Sequence, residues 1–265
     1  MATEGTRTNP VQLAISWLTV LPVPQPATAP DRTDGGRVIA AVPIVGLLLG
    51  GLAAAAAYGL SFTALPWLVS GALIVALLAL VTRGMHLDGL ADTADGLGCY
   101  GDPDRVRAVM RSGDVGPFGV ATLVLVLLVQ AAGFGALAEE HRWFAIALAV
   151  FIGRVMVVLA CRSAVGPAND DGFGALVAGT QRVSVAVWLL LGGVAAAAAG
   201  FLDAPESPFD PKAAVVAVAA LLTTAVFAYL FTRHCARRMG GSNGDVLGAT
   251  VELSTTIMLV VLLAT

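Results

Sequence analysis

The sequence predicts an all-α integral membrane protein, a bundle of about seven transmembrane helices preceded by a short N-terminal interfacial helix. Three observations predict it. Of 265 residues, 57% are hydrophobic and 12% charged, with a mean hydropathy of +0.85. That charged share is about half that of a soluble domain, too little to coat a soluble surface. The apolar residues gather in runs of 17–23, enough to cross a hydrocarbon core at about 1.5 Å per residue. The basic residues alternate from one inter-run segment to the next.

The first apolar stretch, 11–21, is too short to span and ends at Pro22-Val23-Pro24. It reads as a helix on the membrane surface or as a partly buried lead-in helix. One arginine before it and the Pro22-Val23-Pro24 end do not look like a cleavable signal. Spans follow at 38–60, 65–81, 117–138, 143–161, 183–202, 213–231 and 246–264. Helices are the default, because a lipid-exposed sheet edge leaves backbone unpaired and no ten-residue alternation suggests a barrel. The Ala-rich tracts 53–57 and 195–199 suit close helix packing. No long linker divides the chain, so 1–265 is one polytopic domain. Within it lie an N-terminal cytoplasmic or interfacial segment (1–37), an Asp-rich segment (83–116) and a Gly-rich loop (232–245).

Arg7, Arg32, Arg37, Arg83, Arg105, Arg107, Arg111, Arg162, Arg182, Arg233, Arg237 and Arg238 all fall on one side of these spans. Arg142 and Lys212 fall on the other, and Arg154 sits inside the fourth span. The positive-inside rule then puts the N-terminus and the loops after spans two, four and six in the cytoplasm. Cys99, Cys161 and Cys235 are odd in number and far apart, so neither a disulfide nor a zinc framework is expected. No basic patch with interleaved aromatics points to nucleic acid.

Acid concentrates in one place. Asp88, Asp92 and Asp95 stand at i, i+4 and i+7 and would share one helical face. Three like charges so close need an offsetting cation or raised pKa values. A Mg²⁺ site for a phosphorylated substrate meets that need, whereas one His with three Asp suits zinc poorly. The plain alternative is a solvated acidic face. Glycines 84, 89, 96 and 98 are expected to interrupt a long regular helix. His86, two residues before Asp88, is a candidate acid, base or phosphate donor, or a structural histidine. Arg83 and Arg111 are candidate phosphate clasps. Arg105 and Arg107 suit a polar helix face or lipid head groups. Asn243 and Asp245 stand at the entry to the last span, where Gly240, Gly241 and Gly244 either let backbone approach a phosphate or form an ordinary turn. Arg154 and Glu252 lie at similar depth with opposite sign, as an ion pair or as the floor of a site.

Residues 84–96, GMHLDGLADTADG, resemble the signature of the cobalamin synthase family. So do LTVLPVP at 18–24, PIVGLLLG at 43–50, MRSGDVGPFG at 110–119 and GGSNGDVLGATVEL at 240–253. The likeness runs in order along nearly the whole chain. Ser112-Gly113-Asp114 departs from the Asp-Ser-Arg common in the family, and Asn243 replaces a Thr.

The resemblance implies a membrane enzyme that transfers the phosphocobinamide part of adenosylcobinamide-GDP to α-ribazole or its 5′-phosphate, releasing GMP, with Mg²⁺ as cofactor. It implies that Asp88, Asp92 and Asp95 hold the metal, with His86 beside them in catalysis. Arg83, Arg111, Asp114, Arg154, Gly241, Asn243, Gly244, Asp245 and Glu252 are the expected substrate contacts. Expected partners are those substrates and membrane lipid, with a homo-oligomer allowed. The expected location is the inner membrane of a prokaryote, active site to the cytoplasm. The alternatives are another membrane phosphotransferase acting on a nucleotide-diphosphate substrate, and a cation transporter. The charge alternation predicts that a reporter active only in the cytoplasm stays silent when fused after Thr265; a positive signal there means the spans have been miscounted.

Overall fold

The computed structural model describes residues 9–24, 29–203 and 208–264; Arg7 lies outside them. The described residues form eleven helices. In chain order these are α1 (Pro10–Leu18), α2 (Arg32–Leu60), α3 (Trp67–Val81), α4 (Met85–Gly98), α5 (Pro103–Met110), α6 (Pro117–Glu139), α7 (Trp143–Ala160), α8 (Gly172–Val177), α9 (Val183–Leu202), α10 (Pro211–Met239) and α11 (Gly244–Leu263). Among them six are long and apolar enough to cross a membrane: α2, α6, α7, α9, α10 and α11. The seventh predicted span is α3, 15 residues long, which bends by 94° into α4.

The bundle is built around α7, whose residues from Leu148 to Ala160 are all buried. α2 and α11 flank it at close range: a Cβ on Gly50 of α2 would lie 2.5 Å from the Ala147 carbonyl of α7, and one on Gly153 of α7 would strike Thr255 of α11. Helices can approach this closely only where a side chain is missing. The outward faces are apolar instead. Val124, Leu125 and Leu128 of α6, Leu190 and Val194 of α9, and Leu222 and Val226 of α10 are exposed. Apolar side chains facing outward on long helices are what a lipid solvent favours and water does not.

Several boundaries differ from the sequence expectation. α2 begins at Arg32 rather than 38, because Asp31 and Asp34 form a reciprocal capping box. α10 runs on to Met239, so Arg233, Arg237 and Arg238 ride a helix, and only residues 240–243 of the expected Gly-rich loop are irregular. Gly240, at φ 79°, ends that helix. α1 is no loose surface helix: Leu13 and Ala14 are buried in the main core. The 83–116 segment is two helices, and α4 runs unbroken through Gly89 and Gly96. Those glycines allow close packing rather than breaking the helix, since a Cβ on Gly89 would lie 2.8 Å from Asp245 Cα.

α4 lies across the N-terminal ends of α6 and α11. His86 and Gly89 meet Gly248 and Asp245 of α11, and Asp95 meets Gly116 and Gly119 of α6. Arg83 (φ 57°) and Gly84 (φ 67°), both left-handed, make the turn that swings α4 away from α3.

A Cβ on Gly71 of α3 would overlap the Ala131 carbonyl of α6, whereas one on Gly51 would meet nothing within 4 Å. Gly71→Val is therefore expected to destabilise the detergent-solubilised protein by about 1–3 kcal/mol, read as a fall of several degrees in Tm, while Gly51→Ala leaves Tm unchanged or slightly higher.

Candidate active site

The α4 helix presents its acids in two directions. Asp95 is 8% exposed and turned into α6. Its Oδ2 accepts the Gly116 N–H at 2.7 Å and its Oδ1 the Gly119 N–H at 2.9 Å. α6 has no side-chain cap of its own, so a carboxylate from another helix caps it, where the helix dipole favours negative charge. Both Asp95 oxygens are thus committed to the fold. Asp88 is exposed and Asp92 half-exposed.

Asp245, at the start of α11, faces the same place from the other side. Asn243 holds it, donating from Nδ2 to Asp245 Oδ2 at 2.8 Å while Asn243 Oδ1 accepts the Val246 N–H at 3.1 Å. Burial first, then the charges of Asp245, Asp88 and Asp95, push the Asp92 carboxyl up to about 6. The structure therefore gathers four carboxylates, with Asp245 beside the Asp88 and Asp92 pair. Among the described residues no three His, Cys, Asp or Glu side chains close into a ready-made metal shell.

Beside these acids opens a cavity of about 690 Å³. Arg83, His86, Asp88, Arg154, Gly244 and Asp245 all line it. Arg83 Nη2 donates to the Trp17 carbonyl at 3.2 Å, which holds the arginine over α1. Arg154 is 3% exposed; its Nη1 reaches only the Val150 carbonyl at 3.3 Å, and its Nε has no partner.

His86 is buried, its Nδ1 3.8 Å from Glu252 Oε1 and without a hydrogen bond. Burial, with the Arg154 charge second, holds the imidazole down to about 3. Glu252 and Arg154 border one small internal space with Gln130 and Thr255. The direct ion pair that their matched depth suggests is not made: no nitrogen–oxygen approach within 4.0 Å joins them. Glu252 instead accepts from Gln130 Nε2 at 2.8 Å. Gln130 was missed in the sequence, although a lone carboxamide amid the apolar residues of α6 was a readable signal.

The remaining expected contacts are spread out. Arg111 is exposed and donates from Nη1 to Asn169 Oδ1 at 3.2 Å; neither it nor exposed Asp114 lines the cavity. Gly241 is buried where Pro167 and Ala168 leave no room for a side chain, and so serves packing. Arg107 donates to the Met239 carbonyl at 2.6 Å, tying α5 to α10, while Arg105 is exposed.

The class is thus a polytopic helical membrane protein with a cavity lined by acidic, basic and apolar side chains. Residues 10–263 match the model of a family described as cobalamin-5-phosphate synthase. Relatives named adenosylcobinamide-GDP ribazoletransferase include one from Frankia casuarinae, 40% identical over 95% of this chain and 93% of its own. Another, from Corynebacterium diphtheriae, is 34% identical over 92% and 87%, and one from Pseudomonas fluorescens 36% over 94% and 97%. No solved structure matches. The chain belongs to the cobalamin-5-phosphate synthase family.

The two kinds of aspartate predict opposite stability effects. Asp95→Ala strands the α6 N–H groups and is expected to cost about 0.5–2 kcal/mol. For Asp92 the folded-state pKa is raised from 3.8 to about 6, so metal-free stability falls as pH rises through that window. Asp92→Asn should therefore raise Tm at pH 7 in the presence of chelator, with the gain gone below pH 4. Thermal unfolding of the purified variants at both pH values checks both.

Proposed function

We propose that this chain catalyses the adenosylcobinamide-GDP ribazoletransferase reaction, the last stage of cobalamin nucleotide-loop assembly. A ribose hydroxyl of α-ribazole, or of its 5′-phosphate, attacks the phosphorus that carries cobinamide. A phosphorus–oxygen bond forms, the bond to GMP breaks, and the hydroxyl proton passes to a base. Family membership supplies the reaction. The observation that supports the site is that Asp88 and Asp245 line a cavity together with Arg83 and Arg154, with Asp92 near enough to feel both carboxylates.

Displacement at a diphosphate needs charge neutralised on phosphoryl oxygens and reactants held in line. Mg²⁺ commonly binds through one or two carboxylates and completes its shell with water and phosphate oxygens. Asp88 and Asp92 with Asp245 fit that donor set. Asp95, its oxygens taken by α6, fits it less well. When bound, the metal would offset charge on the diphosphate and on departing GMP. Arg83, at the cavity wall, is placed to donate to phosphate oxygens. A carboxylate of the group suits the proton better than His86, whose buried imidazole is a weak base. His86 and Glu252, steadied by Gln130, instead brace the start of α4. The loop arginines favour a cytoplasmic site in the inner membrane of a bacterium. There α4 would lie at the membrane surface, within reach of water-soluble nucleotides.

Purified protein given adenosylcobinamide-GDP, α-ribazole and Mg²⁺ is expected to release GMP. Asp88→Asn and Asp92→Asn should each lower kcat by about 10²-fold or more, and chelation should abolish turnover until Mg²⁺ is restored. Folded wild-type protein that releases no GMP overturns the proposal.

A further inference from the structure

The cavity lining is chemically mixed: Arg83, Asp88 and Asp245 contribute charge, and aliphatic side chains such as Ile39, Val42 and Leu176 contribute most of the remainder. Trp17 of α1 and Phe173 of α8 add an aromatic corner, their rings edge to face at 5.5 Å and 72°. Both are half-buried and both line the cavity. Arg154, 97% buried by its 3% exposure, also lines it with Nε unpartnered. An unpaired buried donor is costly unless a ligand meets it.

We propose that this largely apolar chamber is the subsite for the aromatic base of the ribazole acceptor, with Trp17 and Phe173 as its wall and Arg154 as its hydrogen-bond donor. The proposal rests on the transferase reading above. The substrates differ in what they could place here. The acceptor's base is a substituted benzimidazole, a flat apolar bicycle with one ring nitrogen left as an acceptor once the other carries ribose. That matches a largely apolar lining into which Arg154 brings a buried, unpartnered Nε–H. Guanine carries several donors and acceptors, and these would lose their water without replacement. A corrin bearing amide side chains is too large and too polar for about 690 Å³ lined this way. The same cavity is lined by Asp88 and Asp245, so a base held in it keeps the attached ribose near the acids.

The test uses full-length protein in nanodiscs and begins with wild-type GMP release. Trp17→Leu and Phe173→Leu are each expected to raise the KM for α-ribazole about tenfold, in the range of a lost base–aromatic contact, and to leave the KM for adenosylcobinamide-GDP within about twofold. A second measurement needs no variant: an indole riboside, with C–H in place of the free ring nitrogen, should compete with α-ribazole about tenfold less well on the wild type. A rise in the donor's KM instead means that the chamber takes the guanosine. Unchanged KM values in both variants, or an indole analogue that competes equally, mean that it holds no substrate base, as when a lipid acyl chain fills it. Any of these overturns the proposal. If wild-type protein releases no GMP, the reaction reading has failed; calorimetric titration of α-ribazole into wild type and Trp17→Leu then decides the subsite alone, equal or absent heats overturning it.

Discussion

The structure depends on one short helix laid across the ends of two long ones. α4 carries three aspartates within eight residues, an arrangement that repels itself in a chain so poor in charge. It is tolerated because the N-terminal ends of α6 and α11 lie beneath it, and helix N-termini offer both unpaired N–H groups and positive potential. Asp95 takes the first of these directly through Gly116 and Gly119. The left-handed pair Arg83-Gly84 sets the approach angle, and Gly89 and Gly248 remove the side chains that would hold α4 and α11 apart.

That placement builds the cavity as well as the acid group. Once α4 crosses α11, Asp88 and His86 stand beside Gly244 and Asp245 on one wall. α7 supplies Arg154 from the core, and α1, packed into α2 through Leu13 and Ala14, supplies Trp17. Arg83 links the two functions, since it makes the turn into α4 and also reaches back to the Trp17 carbonyl. A change at this turn therefore alters the direction of the acids and the shape of the cavity together.

Much of the fold was legible in the sequence because the lipid solvent imposes a simple rule: a span must be apolar, helical and about twenty residues long. Six spans and the short α3 follow from it. The boundaries that moved did so for local reasons, such as the Asp31–Asp34 box that starts α2 early. The site was legible only as a list of candidates. Spacing places Asp88, Asp92 and Asp95 on one face, but it cannot show that α6 will claim Asp95. Equal depth suggested Arg154 with Glu252, and the two do border one small space and feel each other's charge, but without direct contact: Glu252 takes its hydrogen bond from Gln130 and lies 3.8 Å from His86. The glycines carried two signals that spacing does not separate: Gly84, Gly98 and Gly240 stand at helix ends, as expected, whereas Gly89 and Gly96 lie inside α4 and mark contact points in a bundle that packs closely.

The charge balance of the site is the argument for what it must bind. Four carboxylates meet around α4, and the fold offsets one of them well, through the α6 cap. Asp245 has Asn243 and the start of α11, which is a partial answer. Asp88 and Asp92 have no cation within ion-pairing distance; among the described residues the ion pairs are Arg37–Asp34, His86–Glu252, Arg107–Asp104 and Arg142–Glu140. Arg83 borders the same cavity, but its guanidinium donates to the Trp17 carbonyl and it makes no ion pair with these acids. The deficit of positive charge is therefore local, and it lies at the carboxylates whose oxygens the fold has not used. A diphosphate entering alone would deepen it. A divalent cation entering with the diphosphate reverses it, since each supplies what the other's binding lacks. Under the proposed function, metal and donor substrate would therefore favour each other's binding, and the raised Asp92 pKa, owed first to burial and then to its acidic neighbours, is consistent with that reading.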